Sequence, residues 1–328
     1  LLSKLMFDSE QYKDVVNVMG VYFSLLSISE LSQSFFRAIK HMKKTSTLLI
    51  IKTALICVSF FAYVSMSDHF SLTNVVLIYT GIELVMASVS IILVAVFLRG
   101  VPMKWEFHAL KEYYRYSLPL MPYLVMSWIN TFVGRFIVTH LMNLEESGVY
   151  SFNSSMVTRA FFLSMALSYT IFPYVSKFWN LGQKDKVVLY LEKAFNISFY
   201  FGFPIMFGLV ATAPTIVGIL SGGNYDVQPL LIIILALGLI FQLMYAISSN
   251  LIDLSRKTVW YNIIFLITSL INVGLNYLLI PMMGINGAAL ALLVNYILQF
   301  ALTLIVGSRS AGLRVRISLK HALVYVGT

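Results

Sequence analysis

The chain has 328 residues, of which 59% are hydrophobic and 11% are charged, and its formal net charge is +9. Soluble domains contain about 45–50% apolar and about 25% charged residues, so this chain has too little charge to cover a water-facing surface. The composition excludes a soluble domain and predicts an integral membrane protein, whose positive charge faces an anionic membrane leaflet rather than nucleic acid.

Apolar segments recur along the whole chain, and each is long enough to cross a bilayer as a helix. Runs such as Leu230–Phe241 are continuously apolar, which excludes the alternating pattern of outer-membrane strands. His321–Thr328 can begin a further span. We predict nine transmembrane helices, at 15–36, 47–66, 74–98, 118–142, 149–175, 195–220, 229–252, 259–280 and 286–307.

Lys and Arg concentrate in every second connector between these spans, which hold 18 of the 23 basic residues. Cytoplasmic loops of membrane proteins carry an excess of Lys and Arg, so the basic connectors are predicted to be cytoplasmic. Residue 14 then lies outside and residue 308 inside, and we expect an odd number of helices before residue 1. The basic connectors are Arg37–Lys44, Arg99–Arg115, Lys177–Lys193, Arg256–Lys257 and Arg309–Lys320.

Three stretches resemble the O-antigen type polysaccharide flippases of the multidrug/oligosaccharidyl-lipid/polysaccharide exporter superfamily. They are Tyr116–Pro122 followed by Arg135, Ser147–Ser151, and Asn276–Pro281 followed by Gly284–Ala289. The resemblance implies an all-α polytopic membrane protein with a MATE-like fold of two helical bundles. The chain would be a fragment with nine or ten of the transmembrane helices.

The resemblance and the longest basic connector together predict the domain organisation. Residues 1–98 would form the C-terminal part of the first bundle, with three spans, and residues 99–117 a cytoplasmic linker containing an interfacial helix. Residues 118–308 would form a second bundle of six helices. Residues 309–328 would be a cytoplasmic basic segment and the start of a further span.

Two arginines are predicted to lie deep in spans, where a charged side chain is costly and usually faces a cavity or a partner. Arg135 lies roughly 10 Å from the outer end of its span, and Arg159 close to the midplane, at about 1.5 Å per residue. We predict that both bind the headgroup of an anionic substrate, because guanidinium groups stay charged and bind phosphate in a bidentate manner. Snorkelling of Arg135 and an ion pair of Arg159 are the structural alternatives. Flippases often carry an acidic residue just before this Arg; here it is Gly134.

Two glutamates also lie within spans. Glu83 is near mid-depth and Glu30 is nearer the cytoplasmic end. Each could carry a coupling ion or form an ion pair. Lys52 lies close to a basic connector, so its side chain is predicted to snorkel to the cytoplasmic interface.

The resemblance implies a flippase that moves undecaprenyl-diphosphate-linked oligosaccharides from the inner to the outer leaflet by alternating access. Its expected partners are this substrate, membrane lipids and other polysaccharide-assembly proteins, in a bacterial inner membrane. A cation-coupled multidrug exporter of the same superfamily is the alternative. The sequence has no phosphate-binding Gly-rich loop with Lys and no metal-ligand cluster, so we expect no cofactor, no metal and no enzymatic activity.

Overall fold

A computed structural model of the chain describes residues 11–39, 41–66, 71–100, 111, 114, 117–118, 121–222 and 228–315. Throughout these ranges the regular secondary structure is helical. The helices are α1 (Lys13–Ala38), α2 (Met42–Met66), α3 (Leu72–Phe97), α4 (Met121–Leu141), α5 (Leu144–Ala160), α6 (Phe162–Asn180), α7 (Lys184–Ser221), α8 (Pro229–Ser255), α9 (Val259–Met283) and α10 (Ile285–Ala311).

Eight of these helices are long and apolar enough to cross a membrane, which confirms the prediction of an all-α polytopic membrane protein. Each of the eight coincides with one predicted span, with ends that differ by a few residues in most cases. The exception is α7, which begins at Lys184, inside the stretch predicted to be a basic connector. The predicted span at 321–328 and most of the predicted interfacial helix lie outside the described residues.

The span predicted at 149–175 is interrupted, because the chain forms two helices there, α5 and α6, separated at Phe161. Helix α5 begins at Leu144, five residues earlier than predicted, because the Asn143 side chain accepts a hydrogen bond from the Glu146 backbone N–H at 2.8 Å. Near this break the Thr158 hydroxyl donates to the Ser154 carbonyl at 2.8 Å, a side-chain-to-backbone bond of the kind that bends helices.

The chain divides into two compact units, residues 1–106 and 107–328. In the first unit, α1 packs mainly on α3, and α2 contacts both. In the second unit, α8 packs most extensively on α10, and α9 packs on α10 and α4. The boundary lies within the predicted linker, 99–117; the assignment of the units to bundles of a larger protein stays a prediction.

The second unit has a continuous apolar core, which includes the fully buried side chains of Phe195, Leu231, Ile240 and Met244. These residues come from α7 and α8, and the same core includes Ile137 of α4 and Val157 of α5, the helices that carry the predicted arginines. Large apolar residues such as Ile305 remain exposed on the outer faces, as lipid contact requires.

A tight turn connects α9 to α10 and requires two glycines. Gly284 has φ 60° and ψ −141°, a conformation that residues with a side chain rarely adopt. At Gly287 a Cβ atom would lie 2.3 Å from the Leu279 carbonyl oxygen, so only glycine permits this approach of the two helices. The Gly284–Ala289 motif therefore closes the α9–α10 hairpin.

Candidate functional site

A cavity of about 300 Å³ lies within the second unit, between α4, α5, α8 and α10. Its apolar wall includes Leu235, Leu239 and Leu292, while its polar groups are mostly hydroxyls and two guanidinium groups. The lining residues are Thr131, Phe132, Arg135, Ser154, Ser155, Val157, Thr158, Arg159, Leu235, Leu239, Gln242, Leu292 and Tyr296. Both predicted headgroup residues, Arg135 and Arg159, thus line the same cavity.

Arg135 extends from α4 toward α5. Its Nη2 donates to the Ser154 hydroxyl at 3.3 Å, and its guanidinium carbon lies 5.3 Å from the centre of the Phe132 ring. Ser154 is ten residues into α5, so the Arg135 guanidinium lies about 15 Å along α5 from its Leu144 end. Arg135 is therefore held against the middle of the neighbouring helix. Its buried Nε–H has no hydrogen-bond partner among the described residues.

Arg159 is exposed and lies one residue before the end of α5. Because α5 begins at Leu144, Arg159 lies about 22 Å along the helix rather than the expected 15 Å. Ser154, which contacts Arg135, is five residues earlier, or about 7.5 Å. The cavity therefore carries two cationic groups at successive depths.

Neither arginine has a carboxylate partner in the ranges that the structure describes, where the ion pairs are Arg37–Glu30 and Lys52–Glu83. The residues that line the cavity also include no carboxylate. Arg135 is partly buried, and a guanidinium that is removed from water without a counter-ion is costly unless an anion or water compensates it. This charge balance suits an anionic ligand.

Hydroxyl groups fix the C-terminal end of α4 and the N-terminal part of α5 against each other. Thr139 donates from Oγ1 to the Ser147 Oγ at 2.8 Å, and Ser147 donates to the Arg135 carbonyl at 3.3 Å. The contacts set the register that brings Arg135 opposite Ser154. They also give a structural role to Ser147, which belongs to the Ser147–Ser151 stretch that resembles the flippase family.

Gln242 and Tyr296 also line the cavity, although neither is predicted from the sequence. Gln242 lies on α8, and its Oε1 is buried without a hydrogen-bond partner in the described part of the chain. Tyr296 is 6% exposed on α10. A glutamine within an otherwise apolar span was the available signal for Gln242, since polar residues in spans usually face the protein interior.

Helices α4 and α9 are joined through the buried side-chain amides of asparagines. Asn272 donates from Nδ2 to the Asn130 carbonyl at 3.2 Å, and Asn276 donates to the Asn272 carbonyl at 2.8 Å. A Cβ atom at Gly134 would lie 3.2 Å from the Asn276 Oδ1, so there is little room for a side chain at this position. The flippases that the chain resembles often have an acidic residue at this position. Here the Asn276 side chain leaves little space for one.

The predicted residues of the first unit occupy two different environments. Lys52 on α2 pairs with Glu83 on α3 at 2.7 Å, and their side chains are 12% and 1% exposed. The prediction that Lys52 snorkels to the interface is therefore wrong, because a buried carboxylate on the neighbouring helix holds its ammonium group. Glu30 pairs with Arg37 on the same helix at 3.5 Å, with both side chains roughly half-exposed.

Metal-ligand geometry is not found in the described residues, which contain no group of three His, Cys, Asp or Glu able to hold an ion. The chemistry available at the cavity is therefore that of charge and hydrogen bonding: two guanidinium groups, several hydroxyls and one amide. Such a set binds phosphate oxygens and sugar hydroxyls.

Residues 1–229 match the sequence profile of the family described as polysaccharide biosynthesis protein. The chain belongs to this family. Two curated proteins of Haloferax volcanii are each 25% identical to it over 52% of its length, "Probable flippase AglR" and "Probable low-salt glycan biosynthesis flippase Agl15". The alignments span 35% of the length of these relatives.

Solved structures share the fold. A structure titled "Lipid II flippase MurJ, inward closed conformation" superposes with a TM-score of 0.73 at 17% identity, and covers 94% of this chain and 64% of that one. A crystal structure of a MATE mutant gives a TM-score of 0.65 at 12% identity, over 89% and 68% of the two chains. These superpositions confirm the MATE-like transporter fold.

Proposed function

We propose that the protein is a flippase for lipid-linked oligosaccharides. It would move glycan repeat units, attached to a polyprenyl diphosphate, from the inner to the outer leaflet of the cytoplasmic membrane by alternating access. The family and the names of the Haloferax relatives support a role in glycan assembly. The single observation that carries the proposal is the cavity with two guanidinium groups and no carboxylate in its lining.

In this proposal Arg135 and Arg159 bind the diphosphate while the polyprenyl tail stays in lipid. A doubly charged headgroup cannot cross hydrocarbon unaided, because desolvating a charge costs many kcal/mol. The two guanidinium groups replace the lost hydration with charge-assisted hydrogen bonds. Their successive depths along α5 would let the headgroup pass from one to the other.

The volume of the cavity indicates which part of the substrate it would hold. At about 300 Å³ it lies at the small end of the range for small-molecule sites, which leaves room for a diphosphate and the sugar next to it. The hydroxyls of Ser155 and Thr158 and the amide of Gln242, which line the cavity, would contact the first sugar, and the remaining sugars would extend beyond it.

A cation-coupled drug exporter is less consistent with these residues. A cavity for cationic drugs needs negative charge, whereas the charged side chains that line this one are both arginines. We further infer that Glu83 and Glu30 act as ion-pair partners of Lys52 and Arg37 rather than as coupling groups, since each already has a basic neighbour within 4 Å.

The test is complementation of the full-length protein in cells whose surface glycan depends on it. Arg135→Ala and Arg159→Ala are expected to abolish surface glycan while membrane insertion stays normal. Arg99→Ala is the matched control, because Arg99 is exposed and does not line the cavity. Full surface glycan in Arg159→Ala would contradict the proposed role. Binding of cationic dyes, together with no binding of a lipid-linked diphosphate, would favour the drug exporter.

A further inference from the structure

A basic groove lies in the second unit, between the start of α7 and the residues that follow α10. It consists of two adjoining cavities of about 370 and 560 Å³, which share Gly312, Leu313 and Arg314. None of its residues lines the cavity of Arg135 and Arg159. The groove residues are Lys184, Asp185, Val188, Leu304, Ile305, Ser308, Arg309, Gly312, Leu313, Arg314 and Val315.

The end of α10 holds the two arginines of the groove in place. Gly312 has φ 63°, and the Leu313 backbone N–H donates to the Ser308 carbonyl at 3.0 Å, as in a Schellman turn. The Leu313 side chain is 6% exposed and belongs to the apolar core. Arg314 directly follows Leu313, and Arg309 lies within the turn that this residue closes. The burial of Leu313 therefore fixes the backbone positions of both arginines.

Charge and polarity divide the groove along the helix axis. The lining contains three basic residues, Lys184, Arg309 and Arg314, and one acidic residue, Asp185. The net charge of the groove is therefore positive. Leu304 and Ile305 lie about one turn before Arg309 on α10, toward the predicted membrane core. Ile305 is 49% exposed. The groove thus has a cationic end and an apolar end.

A tryptophan lies beside the basic end of the groove. The Lys184 ammonium lies 5.9 Å from the centre of the Trp179 ring. Trp is enriched at the headgroup level, and the charge pattern of the sequence predicts that this end of the unit faces the cytoplasm. The cytoplasmic leaflet contains anionic lipids, and basic pockets between helices on this side suit their headgroups.

We propose that this groove binds an anionic phospholipid of the inner leaflet. The phosphate would contact Arg309, Arg314 and Lys184, and the first carbons of the acyl chains would pack on Leu304 and Ile305. A membrane lipid fits better than a soluble phosphate, because the apolar end continues onto an exposed helix face. The site is separate from the proposed substrate cavity and does not depend on the flippase function.

Native mass spectrometry of the purified full-length protein tests the site, with phosphatidylglycerol and phosphatidylcholine of identical chains as probes. Phosphatidylglycerol is expected to bind at least tenfold more tightly. The triple variant Lys184→Gln/Arg309→Gln/Arg314→Gln should lose roughly a hundredfold in affinity for it, at about fivefold per basic residue near a membrane surface. Arg309→Lys/Arg314→Lys keeps the charge and the predicted topology, and should lose less because only the bidentate contacts disappear.

The control removes the same charge elsewhere on the same predicted cytoplasmic face. Lys177→Gln/Lys186→Gln/Lys193→Gln changes exposed lysines outside the groove and should retain phosphatidylglycerol binding. An equal loss in this control, or equal binding of the two lipids by the wild type, would overturn the proposal. A comparable loss in Arg135→Ala/Arg159→Ala would also overturn it, because the lipid would then occupy the substrate cavity.

Discussion

The two units differ in whether the charged side chains of their helices are paired. In the first unit the deep charges neutralise each other, since the buried Glu83 carboxylate is paired with Lys52 at 2.7 Å. In the second unit Arg135 and Arg159 line a cavity, and no described carboxylate pairs with them. Paired charges join helices, whereas unpaired charges of one sign are available to a ligand.

Within the second unit, α8 is the most buried of the candidate spans, with 56% of its most apolar stretch buried. The cavity residues Leu235, Leu239 and Gln242 come from α8, so the most buried helix positions this side of the cavity. A rigid scaffold of this kind maintains the geometry that binding an anion requires.

The largest expected effect on stability comes from breaking the ion pair of the first unit. Lys52→Met leaves the Glu83 carboxylate buried without its partner, which should lower the free energy of unfolding by about 3–5 kcal/mol. Unfolding of the purified protein in a detergent titration measures the change. Lys43→Met is the control, because Lys43 is exposed on the same helix.

Removing both charges separates an ion pair from a coupling site. In Lys52→Met/Glu83→Met the uncompensated carboxylate is gone, and stability should return to at least the wild-type value. Glycan transport should return with it. A stable double variant without transport would assign coupling to Glu83 and would contradict the inferred structural role.

The next largest effect tests how closely the helices of the second unit approach. Gly287→Ala places a Cβ atom 2.3 Å from the Leu279 carbonyl oxygen, so the α9–α10 hairpin must open, at a cost of about 3 kcal/mol. Gly81→Ala on α3 is the counterpart in the first unit, where no atom lies within 4 Å of a Cβ. That variant should keep or slightly raise stability, as alanine favours helix over glycine by about 1 kcal/mol. Equal losses in the same unfolding assay would contradict the difference in packing.

The sequence predicted the class of the protein and the arginines of the cavity for physical reasons. Long apolar segments have one stable backbone conformation in lipid, so composition and loop charge were sufficient to place eight of the helices. Arg135 and Arg159 were visible because charge within a span is rare. Neither the helices nor the two arginines require knowledge of which helices are neighbours to be predicted.

Predictions that required knowledge of neighbouring helices failed or were incomplete. Lys52 was assigned to the interface because its distance from a basic connector is known from sequence, while its distance from Glu83 is not. The break at Phe161 falls within a stretch whose hydropathy predicts one continuous span, because hydropathy does not record local backbone geometry. Tyr296 resembles any other aromatic residue of a span until α10 is packed against α4 and α5.

A smaller effect is expected from the hydroxyl contact between α4 and α5. Ser147→Ala removes the hydrogen bonds that join Ser147 to Thr139 and to the Arg135 carbonyl, at about 1 kcal/mol of stability. Thermal unfolding should show the loss. Ser88→Ala, which removes only a bond within α3 of the first unit, should leave the unfolding temperature unchanged. A loss of similar size in both variants would show that the Ser147 contact has no special role between the helices.

The smallest expected effect on stability, and the most informative, concerns Arg159. Because Arg159 is exposed and has no ion-pair partner among the described residues, Arg159→Gln should change the unfolding free energy by no more than about 0.5 kcal/mol. The same substitution should weaken binding of a lipid-linked diphosphate by at least tenfold, because a charge-assisted hydrogen bond contributes about 1.5–3 kcal/mol. Lys52→Met should give the reverse result, with lost stability and retained binding by the protein that remains folded. If Arg159→Gln instead unfolded the protein, its guanidinium would be structural like Lys52, and the contrast between the two units would not hold.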